Sequence, residues 1–201
     1  MILFFDTETT GLPRDGKAPV TALSNWPRLV QIAWLLVDAD GTELRSVEHL
    51  IKPQGFVIPA DAVRIHGITT ERAQQYGIEL AVALAEITVD LAAASVLVAH
   101  NMPFDEKILG AEFLRLERHN PLPAKRRLCT MQSATELCQL PGRYGFKWPS
   151  LDELHRKLFG ESAVGAHQAL ADVRACARCY RELRRLGVMP LARMRLSTAC
   201  S

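Results

Sequence analysis

Residues Ile2-Leu-Phe-Phe5 form a short, wholly apolar run that stops at Asp6 and is followed by Thr9-Thr10-Gly11. A run this short and this apolar reads as a strand buried in the middle of a sheet and ended by a turn. Residues 13–28 then form a polar loop. Leu29–Val37 (LVQIAWLLV) is almost continuously apolar, and Asp38-Ala-Asp-Gly41 joins it to a further run, Thr42–Ile51, which is a hairpin signature. Val96–Ala99 is another short apolar strand.

Helical spacing occupies much of the remaining chain. Short pieces are predicted over Ala60–Arg64 and Thr70–Gln75, and a longer one over Leu80–Ala94. Pro103 suits the first turn of a helix reaching about Arg118, ended by Asn120-Pro-Leu-Pro123. Thr130–Leu140, Ser150–Phe159 and Gln168–Leu186 also carry apolar residues at helical spacing, and Ser150-Leu-Asp-Glu153 has the capping-box pattern. The order of strand, hairpin, helix, strand and then helices, without repeats or a Gly/Ser-rich linker, predicts one α/β domain around a mixed sheet. Its expected extent is residues 1–190, with a loose tail over 191–201.

Composition excludes several classes. With 201 residues, 48% apolar and 23% charged, the chain has room for a full core and is neither disordered nor fibrous. A formal net charge of +2 is too balanced for a protein that binds nucleic acid through bulk electrostatics, so any basic surface must be local. Five cysteines, an odd number, without a signal peptide predict reduced thiols in a cytoplasmic protein. No stretch of about 18 apolar residues occurs, so no membrane association is expected.

The chemistry is carried by acids at three places. Asp6 and Glu8 lie two apart at a strand end, and the period of two points both side chains to one face. Two converging carboxylates repel unless a cation such as Mg²⁺ or Mn²⁺ lies between them; a solvated strand end is the other reading. Asp105 follows the strand Val96–Ala99, where ligands of α/β sheets collect, although an acid there also suits a helix N-terminus. The third place is Gly165-Ala-His-Gln-Ala-Leu-Ala-Asp172. Five helical residues turn a side chain by about 140° away, so His167 and Asp172 share a site only if His167 precedes the helix. There it would be free to act as a general base, or would be an ordinary helix-entry residue. Together these are the parts of a two-metal phosphodiester hydrolase.

Three segments, FFDTETTGL (4–12), AHNMPFD (99–105) and HQALADV (167–173), resemble in order and spacing the three exonuclease motifs of the DEDDh, DnaQ-like 3′-to-5′ exonucleases. That family includes the proofreading epsilon subunit of DNA polymerase III, ribonuclease T and oligoribonuclease. The resemblance spans nearly the whole chain. It implies a ribonuclease H-like fold with a five-stranded mixed sheet, flanked by helices, whose second strand runs antiparallel. It also implies that Asp6, Glu8, Asp105 and Asp172 hold two divalent cations, Mg²⁺ or Mn²⁺, with His167 as general base.

By the same resemblance, Thr9, Thr10, Gly11 and Leu12 would contact the 3′-terminal nucleotide, as would His66 in Arg64-Ile-His-Gly-Ile-Thr69. Phe104 would pack beneath the site, and His100 and Asn101 would position the strand end. The implied activity is removal of nucleoside 5′-monophosphates from 3′ ends of single-stranded DNA. RNA ends, a non-cleaving strand-end binder and an aspartyl phosphotransferase using Asp6 remain as alternatives. A polymerase or another replication or repair protein is the implied partner.

Other features fit structural readings. Cys176 and Cys179 are expected to pack in the core of the last helix rather than bind zinc, since no second pair accompanies them. His49, His119 and His155 are expected at the surface. Tyr144, Phe146 and Trp148, like Trp26, suit hydrophobic anchors of loops, with base stacking as the alternative. Lys125-Arg-Arg127 and Arg181 with Arg184-Arg185 are the basic clusters, read as phosphate contacts or as solvated helix faces.

Overall fold

The protein was analysed as a computed structural model that describes residues 1–163 and 169–189. A five-stranded sheet is built from β1 (Ile2–Thr9), β2 (Leu29–Val37), β3 (Glu43–Leu50), β4 (Val96–Ala99) and β5 (Arg126–Cys129). The spatial order is β3-β2-β1-β4-β5. β2 runs antiparallel to both β1 and β3, while β4 lies parallel to β1 and β5 parallel to β4. The five-stranded mixed α/β sheet with an antiparallel second strand is therefore as the resemblance implied.

Between β3 and β4 run α1 (Ala60–His66), α2 (Thr70–Tyr76) and α3 (Leu80–Ala93). Next come α4 (Met102–Arg115) and, beyond β5, the short turns α5 (Thr130–Ser133) and α6 (Thr135–Cys138). A small hairpin of β6 (Pro141–Gly142) and β7 (Gly145–Phe146) precedes α7 (Leu151–Phe159) and α8 (Ala169–Arg185).

Alternation along β1 and β2 divides the core in two. Leu3 and Phe5 of β1 join Ile32, Trp34 and Leu36 of β2 on the face packed by α3 and α4. Ile2 and Phe4 join Ala33, Leu35 and Val37 on the opposite face, against Val173, Cys176 and Tyr180 of α8. Covering both faces removes the apolar sides of the central strands from water, which is why β2 has no polar face. Among the described residues no helix is long and apolar enough to cross a membrane.

Several expectations are corrected. β1 runs on through the acids to Thr9, because Asp6, Thr7 and Glu8 keep pairing with Ala33, Ile32 and Gln31 of β2, so they are less terminal than expected. Asp6 and Glu8 thus lie inside the strand. Lys125-Arg-Arg127 is no helix face: Arg126 and Arg127 belong to edge strand β5, whose basic residues hide its strand character. The helix expected over Thr130–Leu140 is broken at Ala134 into α5 and α6.

His155 is buried rather than at the surface, its Nδ1 2.8 Å from the Glu161 carbonyl and its Nε2 3.1 Å from Arg178. His49 is half-buried against Glu86, and only His119 of the three is exposed. Cys129, Cys138, Cys176 and Cys179 are buried free thiols, as core packing requires. The Ser150 capping box on α7 is formed by both of its hydrogen bonds. The tail expected over 191–201 lies outside the described residues.

Candidate active site

The pairing of β1 explains where its acids point. β4 pairs with β1 only from Ile2 to Phe4, so beyond Phe4 one edge of β1 opens into a notch past the carboxyl end of β4. This is the position at which strand order reverses in open α/β sheets. The period of two keeps Asp6 and Glu8 on the face of Phe4, toward α8. Asp172, in the first described turn of α8, meets them there. One carboxylate oxygen from each of Asp6, Glu8 and Asp172 lies within 4.8 Å of the others.

Asp105 approaches from the opposite face of the sheet. It lies in the first turn of α4, buried, and accepts a hydrogen bond of 2.7 Å from the Thr7 hydroxyl. Thr7 points to that face because it alternates with Asp6 and Glu8. Asp105 is therefore beside the trio but outside the group of converging oxygens.

The electrostatics show an excess of negative charge. Burial raises Asp6 well above the usual carboxylate range, and Asp105, Glu8 and Asp172 add repulsion in that order. Burial, with Asp172 beside it, pushes Glu8 up to about 7. Asp105 is also pushed up to about 7 by burial, against the opposing hydrogen bond from Thr7. Neither Asp6 nor Glu8 makes an ion pair among the described residues.

A cavity of about 220 Å³ is lined by Asp6 and Asp172 together with His100, Ser150, Leu151, Asp152 and Ala163. His100 holds its far wall. Its Nε2 donates to the Pro149 carbonyl at 3.0 Å, and its Nδ1 accepts from the Thr130 hydroxyl at 3.0 Å. Burial pushes this imidazole down to about 4, so it is neutral at neutral pH. With both nitrogens engaged, it ties the end of β4 to the entry of α7. Asn101 adopts the left-handed conformation at φ 86°, turning the chain sharply into α4. Its neighbour Phe104 is half-buried against the α3/α4 side of the core.

At the end of β1, the Thr9 hydroxyl donates to the Gly11 carbonyl at 2.7 Å, and Thr10 bonds Arg28 through both N–H and hydroxyl. Leu12 is left 85% exposed beside this turn. His66, buried at the end of α1, brings Nε2 to 3.3 Å from the Thr9 carbonyl, so the His66-Gly67 segment abuts the acid-bearing strand. His167 lies outside the described residues.

Thr7, Thr130 and Asp152 were missed by sequence reasoning. Thr7 was readable from the alternation of β1. Thr130 and Asp152 carry no local signal, since their place depends on how β5 and α7 pack.

Comparison with known proteins agrees with this geometry. The exonuclease family model of the ribonuclease T type matches residues 3–180. DNA polymerase III subunit epsilon of Rickettsia felis is 30% identical over 185 residues, covering 90% of this chain and 72% of that protein. An uncharacterized exonuclease of Escherichia phage 186 is 31% identical over 180 residues, covering 86% of this chain and 82% of its own length. Among solved structures, Escherichia coli Exonuclease I in complex with a dT13 oligonucleotide superposes with a TM-score of 0.71 at 22% identity. The match covers 92% of this chain but only 42% of Exonuclease I. Exonuclease I from Methylocaldum szegediense gives a TM-score of 0.68 at 23% identity, covering 92% of this chain and 40% of its own. The likeness to the Exonuclease I structures establishes the fold, while the match along residues 3–180 makes this chain a member of the exonuclease family of DnaQ-like 3′-to-5′ phosphodiester hydrolases.

Proposed function

We propose that the chain removes nucleoside 5′-monophosphates from the 3′ end of single-stranded DNA, using two divalent cations, Mg²⁺ or Mn²⁺, held by Asp6, Glu8, Asp105 and Asp172. The observation that carries this reading is the meeting of carboxylates from β1 and α8 in a notch where Asp172 raises the proton affinity of both Asp6 and Glu8. Hard oxygen donors with surplus negative charge fit a hard divalent cation. Bound there, such a cation supplies charge stabilisation at the phosphate and makes a bound water more acidic.

The chain's own residues supply the rest. Thr7 orients Asp105 by donating its hydroxyl hydrogen to one of the carboxylate oxygens. His167, preceding α8 in sequence, would take the proton of the attacking water. His100 is a positioning residue, since neither of its nitrogens is available for proton transfer. The turn Thr9-Thr10-Gly11-Leu12, His66, Asn101 and Phe104 surround the place where a terminal nucleotide would lie. The epsilon relative makes a polymerase, or another replication or repair protein, a partner worth testing.

Matched 5′-labelled single strands of DNA and RNA, incubated with Mg²⁺, Mn²⁺ or EDTA, test the reading. A ladder shortening from the 3′ end, faster on DNA and abolished by EDTA, is expected. Internal cleavage, or digestion unaffected by EDTA, would overturn it. His167→Ala is expected to lose about 10² to 10⁴ in kcat while Mn²⁺ still binds.

A further inference from the structure

We propose that the β6–β7 hairpin is a stacking arm that holds unpaired bases upstream of the 3′-terminal nucleotide, a reading that rests on the function proposed above. A cleft of about 490 Å³ separates the hairpin side of the molecule from the loop over residues 13–28. Asn101 and Phe104 line it, so it is continuous with the segment that ends in Asp105.

The two walls differ. On one side Trp26 is buried, and its Nε1 donates to the Pro19 carbonyl at 3.0 Å. The Lys107 ammonium lies 4.9 Å from the Trp26 ring centroid and donates to the Gly16 and Ala18 carbonyls. Trp26 therefore anchors its loop, as expected from the sequence. On the other side Trp148 is 61% exposed, and in the hairpin just before it in the chain Tyr144 and Phe146 are 90% and 45% exposed. Tyr144 and Trp148 leave most of their surface to solvent, so these rings keep faces free for a ligand.

Local geometry aims the exposed rings. The Lys147 N–H donates to the Leu140 carbonyl, and its ammonium pairs with Glu153 at the start of α7. Phe146 ends β7, and Trp148, two residues on, lines the cleft. The turn is built to keep this shape: a Cβ on Gly142 would stand 2.8 Å from the Gly145 carbonyl oxygen, and Gly145 itself has φ +123°.

Charge favours a nucleic acid strand over a protein as the occupant. Lys17 lines the cleft, and the Arg143 guanidinium lies 5.2 Å from the Tyr144 ring centroid. Neither makes an ion pair among the described residues, so both are available to phosphates. Bases in a duplex stack on each other and leave no face for the rings, so the arm would select unpaired strands.

The test compares wild type, Trp148→Ala, the double variant Phe146→Ala/Trp148→Ala, and Trp148→Phe. Each is assayed in Mn²⁺ on a twenty-nucleotide DNA strand and on a dinucleotide, and melting temperatures are recorded. The ratio of kcat/KM on the long strand to that on the dinucleotide is expected to fall about tenfold per removed ring, mainly through KM. Melting should not change, and Trp148→Phe should recover most of the ratio. An unchanged ratio in variants of an active enzyme would overturn the arm alone, as a protein-docking hairpin would give. Wild type cutting neither substrate would overturn the proposed function and the arm with it.

Discussion

Glu112 on α4 is fully buried, yet Arg28 Nε stands 3.0 Å and Arg115 Nη1 2.8 Å from its Oε1, and the Leu29 N–H donates to the same oxygen at 2.9 Å. Arg115 also donates to the carbonyls of Leu23 and Trp26, so this carboxylate fastens the loop over 13–28 to α4. Asp6 on β1, half-buried in the notch, has Asp105, Glu8 and Asp172 as its charged neighbours. The same functional group is thus neutralised by the chain's own arginines in one place and crowded by its own acids in the other. A buried acid with in-chain cations is an architectural tie; one crowded by acids is suited to a cation from outside.

The two sites should respond to mutation in opposite ways. Asp6→Asn is expected to lower kcat/KM by roughly 10³-fold or more, the several kcal/mol that charge stabilisation by a metal supplies. Melting should hold or rise, since a repelling charge is removed. Steady-state kinetics and thermal unfolding on one preparation check both parts. Glu112→Ala should instead cost about 1 to 3 kcal/mol of stability by leaving the Leu29 N–H and two half-buried arginines without their shared acceptor. A chemical denaturation series measures this, and unchanged stability would break the contrast.

The pH dependence sharpens it further. Glu8 and Asp105, pushed up to about 7 when folded, hold protons that the unfolded chain releases nearer 4. Without added metal, stability from these groups is present at low pH and is lost as pH rises through about 7. Melting of the EDTA-treated protein should therefore fall by a few degrees between about pH 5 and 8. Added Mn²⁺ should raise melting more at the higher pH, because the cation binds the ionised carboxylates. Thr7→Val carries the smallest expected effect. Losing one hydrogen bond to Asp105 should cost about tenfold in kcat and about 1 kcal/mol of stability.

Legibility in the sequence followed the range of the forces involved. The hairpin of β2 and β3, strand β4 and the capping box of α7 rest on local alternation, turn residues and side-chain-to-backbone bonds, and they were readable within a residue or two. β5 was not, because Arg126-Arg127-Leu128-Cys129 is too basic to look like a strand and is one only because β4 offers it a partner. His155 looked like a surface residue on an amphipathic helix, and Arg178 and Phe159 cover it. The exposure of Tyr144 and Trp148 in the run at 144–148 was not readable either, since ring content alone does not reveal whether a core lies within reach.

The sequence by itself put Asp6 and Glu8 on one face of a strand, because alternation is a property of the backbone and needs no partner. It also placed Asp105 just beyond the end of another strand. Only the tertiary structure decided which face each acid reaches. Asp172 joins Asp6 and Glu8 because α8 packs on the side of Ile2 and Phe4, while Asp105 comes from the side of Leu3 and Phe5 and is met by Thr7. Those choices depend on contacts between distant parts of the chain, 98 residues apart for Thr7 and Asp105, made by burial of both sheet faces, and no local pattern encodes which helix covers which face.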